Sequence, residues 1–81
     1  MPDRPEIRGL QRVAADRVEV TLRAGMVEHR YGVQLDQRPP LTVLVAEDAL
    51  QVAVRDWPEL YREVMAGCRA LFRDAEATVA A

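Results

Sequence analysis

The chain has 81 residues, a formal net charge of −2, and 49% hydrophobic against 30% charged residues, a balance that excludes disordered and fibrous classes and leaves one small globular domain over residues 1–81. A core drawn from so short a chain is marginal and is often completed by a partner. Residues 1–38 hold seven Arg and six acids (+1) and residues 39–81 four Arg and seven acids (−3), so neither half has the charge of a polyanion binder.

The first element follows "DRPE" at residues 3–6, a pattern that returns as "DWPE" at residues 56–59. Asp-x-Pro-Glu is a helix-entry signal. Asp accepts from an early backbone N–H, Pro gives up a donor that had no helical partner, and Glu favours the positive end of the helix dipole. The flanking residues do not match, so an internal duplication is rejected. After the first copy, Ile7, Leu10, Val13 and Ala14 fall at helical spacing and predict a short helix over residues 4–15, with an edge strand as the rival. Gly9 weakens the helix by about 1 kcal/mol relative to Ala.

Residues 17–35 read as a hairpin. "RVEVTLR" alternates, with Val18, Val20 and Leu22 on one face and Arg17, Glu19, Thr21 and Arg23 on the other. A turn at Ala24-Gly25, or a four-residue loop of the same register, sets Leu22 against Val27, Val20 against His29 and Val18 against Tyr31. Glu19 then meets Arg30 on the outer face. "DQRPP" at residues 36–40 breaks the chain, and "LTVLVA" follows as an apolar run suited to a central strand covered on both faces.

Residues 47–55 admit two readings. As a strand, Leu50, Val52 and Val54 alternate and oppose Val45, Val43 and Leu41; as a helix, Leu50, Val54 and Trp57 share a face. The strand is preferred because Val52 and Val54 suit a pleated surface. The second Asp-x-Pro-Glu starts a long helix over about residues 57–77. Trp57, Tyr61, Val64, Cys68, Leu71 and Ala75 step by fours and threes along it. Leu60, Met65, Phe72 and Val79 widen that stripe beyond a coiled-coil seam. The expected fold is α+β: a three- to four-stranded antiparallel sheet covered on one face by the long C-terminal helix, with a short N-terminal helix or edge strand. Residues 1–3 and 78–81 are expected to fray. The order helix, three strands, helix resembles that of the double-stranded-RNA-binding domain in element order alone. The basic helix-terminal motif of that family is absent where this chain has "AGCRALFRD", so no function carries over.

The sequence has no Lys, Ser or Asn, and every cation is Arg, which points to a GC-rich, bacterial or phage genome. Cys68 is the only cysteine, so no intrachain disulfide forms and a cytoplasmic setting is expected. Met1-Pro2-Asp3-Arg4 opens no apolar stretch, so no signal peptide is expected, and no apolar run reaches membrane-spanning length.

Candidate chemistry is sparse. His29 has core-side parity and could act as a base or ligand, but one His and one Cys do not complete a zinc site, and no metal or cofactor is expected. Cys68 and His29 would form a nucleophile–base pair only if helix and hairpin brought them together; the alternative is a buried Cys acting as a small hydrophobe. Isolated glycines make no phosphate loop. Gly67 could admit another backbone, as at a dimer contact. Trp57 and Tyr61 are residue types that anchor interfaces, although both lie on the core stripe.

His29, Tyr31, Trp57, Tyr61, Met65, Gly67, Cys68 and Phe72 are therefore the candidate interface or pocket residues. Three functions are open. The favoured one is a non-enzymatic accessory or interaction protein that self-associates as a dimer. The others are a nucleic-acid-associated regulator using its Arg residues, and a small enzyme or ligand-binding protein with a helix–sheet pocket near His29.

Overall fold

Among the described residues, four strands precede two helices: β1 (Glu6–Ala14), β2 (Arg17–Ala24), β3 (Val27–Arg38), β4 (Leu41–Ala46), α1 (Asp48–Ala53) and α2 (Pro58–Ala80). The strands form one antiparallel sheet in the order β1-β2-β3-β4, an α+β arrangement. The computed structural model describes the backbone of residues 4–38 and 41–80 and the side chains of residues 4–37 and 41–73. Fraying at residues 1–3 and 81 lies outside the described residues. Residues 78–80 continue α2, which runs past the expected end at residue 77.

The N-terminal helix is replaced by strand β1, and the reason lies in its irregular pairing. Ile7 opposes Leu22 and Leu10 opposes Val20, but the register shifts between Ile7 and Gly9 and again between Arg12 and Ala14. The first shift inserts Arg8, so the inward side chains of Ile7 and Leu10 are three residues apart, while Leu10 and Arg12, opposite Val20 and Val18, keep the ordinary spacing of two. A bulged strand thereby carries the spacing of a helix face. The extra residue of the second shift, Val13, is exposed.

The β2–β3 hairpin keeps the expected faces but sits two residues away from the expected register. Leu22 pairs with His29, Val20 with Tyr31 and Val18 with Val33. The turn is Gly25-Met26, because a two-residue loop with glycine first needs positive φ at that position alone; Gly25 has φ 65 and no other residue type in the described chain has positive φ. Slipping by two leaves every side chain on its own face. The Glu19–Arg30 pair survives as a diagonal contact, Arg30 Nε to Glu19 Oε1 at 3.7 Å, with Thr21 now directly opposite Arg30. The β1–β2 turn docks on β3: the Leu35 N–H donates to Asp16 O at 2.7 Å, and Gln34 Nε2 donates to Asp16 Oδ2 at 2.7 Å.

The chain break expected at residues 36–40 begins later. Asp36, Gln37 and Arg38 continue β3 in register with Val43, Thr42 and Leu41, and residues 39–40 lie outside the described residues. β4 is an edge strand rather than a central one.

Residues 48–53 form helix α1 in place of the preferred strand. Leu50 is fully buried and Val54, four residues on, is buried beside it, whereas Val52 is 63% exposed. A strand would have put all three on one face; a helix separates Val52 from the other two. Trp57 N–H donates to Val54 O at 3.0 Å, and Tyr61 N–H donates to Trp57 O at 3.2 Å. Trp57 therefore occupies the cap position of α2, Pro58 the first helical position and Glu59 the first turn. Asp56 precedes the cap by one residue.

Val18, Val20, Leu22, Val33 and Ala46 from the sheet, Leu50 and Val54 from the following segment, and Leu60, Val64, Met65, Cys68 and Phe72 from α2 make one buried cluster. Burying a Val- or Leu-sized side chain stabilises by about 1.5–3 kcal/mol, so this set is the main source of folded stability.

Candidate functional site

The two edges of the sheet differ in how they meet solvent. At β1, the register is bulged twice, and the strand carries Glu6, Arg8 and Arg12. Arg8 Nη1 lies 3.9 Å from Glu6 Oε2, and Arg12 donates from Nε to Ala14 O at 3.2 Å and from Nη2 to Ala15 O at 2.7 Å. Bulges and charges at an edge are the devices that discourage another strand from adding there. β4 has neither. Its register with β3 is unbroken from Val33–Ala46 to Arg38–Leu41, and "LTVLVA" contains no charge, proline or glycine.

Alternation along β4 sends Leu41, Val43 and Val45 to the outer face, where they are 66%, 37% and 42% exposed. Leu44 points the other way and packs against the core, and Ala46 is buried. The backbone also alternates. Glu47 N–H donates to Gly32 O at 3.1 Å and continues the ladder with β3. Bonded residues of an antiparallel ladder alternate, so Leu41, Val43 and Val45 bond toward β3, while Thr42, Leu44 and Ala46 turn their N–H and C=O groups toward the open edge. Gln51 Nε2, from α1, donates to Ala46 O at 2.8 Å and covers one of those acceptors. The helical state of residues 48–53 is what leaves the rest of the edge open, because the strand expected there would have paired with β4.

Beside this edge, a groove of about 510 Å³ runs between β4 and α2, with Thr42, Leu44, Tyr61, Met65, Arg62 and Arg69 among its lining residues. A second hollow of about 270 Å³ shares Thr42, Leu44 and Arg69 and reaches Phe72. α2 makes its more extensive contacts with the sheet at β1 and β2, and its far flank and β4 bound an incompletely filled space.

The residues singled out from sequence are dispersed by this arrangement. Tyr61 and Met65 line the groove. Trp57 lines a separate hollow of about 230 Å³ with Arg4, Asp56, Pro58 and Glu59, which brings Arg4 of the first Asp-x-Pro-Glu against the second copy. Gly67 faces Leu10 of β1 in the same chain. Phe72 is buried, with the Arg12 guanidinium 5.6 Å above its ring. Cys68 has no exposed surface, and burial pushes its thiol up from the ordinary 9.0 to about 11, so at neutral pH it is a sealed, protonated side chain. His29 stands at the exposed end of the hairpin, its ring 6.2 Å from that of Tyr31 and tilted by 43°. It is not part of the core cluster that holds Cys68. Among the described residues, no group of three or more His, Cys, Asp or Glu side chains is gathered to hold a metal. No described helix is long and apolar enough to cross a membrane.

Sequence reading passed over Leu41, Val43 and Val45 because an uncharged apolar run is the mark of a doubly covered strand. The available signal was their parity: they share a face with Gln34 and Asp36 of β3, which are polar. Compared with known proteins, the chain matches no family model, no curated protein and no solved structure.

Proposed function

We propose that this chain is a small non-enzymatic accessory or interaction protein that self-associates through the open flank of β4, as a dimer of single-domain subunits in which α2 lies across one face of the sheet. One observation carries the reading: the chain guards the β1 edge with bulges and charges and leaves the β4 edge unguarded, uncharged and apolar. Sealing Cys68 in the core, away from His29, supports a binding role over a catalytic one. A lone buried cysteine and an all-Arg cation set fit a cytoplasmic bacterial protein.

Sedimentation of the full chain tests this. At tens of micromolar the wild type is expected at twice its 9.1 kDa mass, and Val43→Arg, which puts a charge in the middle of the exposed apolar row, is expected at the monomer mass with unchanged circular dichroism. A wild-type chain that stays monomeric throughout that range overturns the reading.

A further inference from the structure

We infer that the second copy adds to the sheet by antiparallel β4–β4 pairing on a two-fold axis at Val43, giving one continuous eight-stranded sheet; this rests on the self-association proposed above. A strand that pairs antiparallel with its own copy is specified by the residue on the axis. The edge-facing backbone groups belong to Thr42, Leu44 and Ala46, and they discriminate among the possible axes. An axis at Leu44 pairs Ala46 with the partner's Thr42, but the Ala46 carbonyl is already taken by Gln51 Nε2. An axis at Thr42 leaves Leu44 opposite no residue of the partner's β4, so only the Thr42–Thr42 pair bonds within the strand. The axis at Val43 pairs Thr42 with the partner's Leu44 and Leu44 with the partner's Thr42. It uses those four N–H and four C=O groups in four hydrogen bonds.

The side chains agree with the backbone. On the outer face this axis sets Val43 against the partner's Val43 and Leu41 against the partner's Val45. The three exposed apolar residues of each copy thus become cross-strand neighbours with no charge among them. Moving the axis to Leu44 would instead set Leu41 against the partner's Glu47. Three side chains per copy and four hydrogen bonds are modest beside a standard interface of roughly 1,600 Å², so the expected affinity is about micromolar.

Cysteine scanning of the full chain reads the register. Val43 would face its own copy in a non-hydrogen-bonded pair, where Cα atoms are about 4.5 Å apart and a disulfide can close. Val43→Cys is expected to cross-link to itself on the order of a hundredfold faster than Val45→Cys, because pairing replaces micromolar encounter with a millimolar effective concentration. A mixture of Leu41→Cys and Val45→Cys is expected to cross-link between the two variants. The native Cys68 stays silent in the folded protein, and circular dichroism confirms that each variant is folded. A wild type that sediments as a dimer while Val43→Cys cross-links no faster than Val45→Cys overturns the register and leaves self-association standing. A wild type that sediments as a monomer overturns both.

Discussion

Leu10 on β1 and Gly67 on α2 fit as tip and socket: a Cβ built on Gly67 would run into Leu10 Cδ1. Missing a side chain at one helical position lets the strand's leucine lie against the helix. The obstructing atom is the far end of a flexible side chain, so a single methyl group is expected to be tolerated. Gly67→Ala should change stability by no more than about 1 kcal/mol, since the gain in helix propensity offsets the displacement of Leu10. Gly67→Val should cost about 1–3 kcal/mol, and Leu10→Ala should relieve part of that cost in a double-mutant cycle. Urea unfolding of the four proteins measures the coupling; additive effects would show that the two positions do not touch.

Leu50 and Val52 separate the helical from the extended state of residues 48–53. Leu50 is fully buried and Val52 is mostly exposed. Leu50→Ala should therefore cost about 2–5 kcal/mol. Val52→Ala should stay within about 0.5 kcal/mol of wild type. Equal losses at the two positions, read from urea midpoints, would mean that both side chains face the core and that α1 is not a helix.

Burial of Cys68 makes stability fall at alkaline pH. Its thiol titrates near 11 in the folded protein and near the ordinary 9.0 in the unfolded chain, so the folded state keeps a proton that the unfolded state releases. The contribution is complete below about pH 9 and is lost as pH rises toward 11, with a slope of at most about 1.4 kcal/mol per pH unit. Comparing the pH dependence of unfolding in wild type and Cys68→Ala isolates the effect, because the other alkaline groups are common to both. A thiol reagent should label Cys68 at neutral pH only after denaturation. Parallel pH curves for the two proteins, or rapid labelling under native conditions, would place the thiol at the surface.

Local periodicity made part of this architecture readable. Val18, Val20 and Leu22 alternate with charged or polar neighbours, and that parity placed them on the core face whichever register the hairpin took. The α2 stripe through Leu60, Val64, Cys68 and Phe72 is likewise a property of consecutive residues. The same rule misled at β1. The bulge between Ile7 and Gly9 stretches the spacing of Ile7 and Leu10 to three, and nothing within the segment separates a bulged strand from a helix. The hairpin register turned on a single φ at Gly25, a choice that either neighbouring two-residue loop could have made on composition alone.

The amino-acid pattern on its own assigned faces, the long helix and the α+β class, because each depends on residues a few positions apart. Whether β4 is interior or terminal in the sheet depends on what residues 47–55 do, and that is settled by packing. A helix buries Leu50 and Val54 together while turning Val52 to solvent, and the helix forgoes pairing with β4. The open flank of β4 exists only once distant elements have taken their places, since an apolar strand reads the same whether a neighbour or solvent lies beside it.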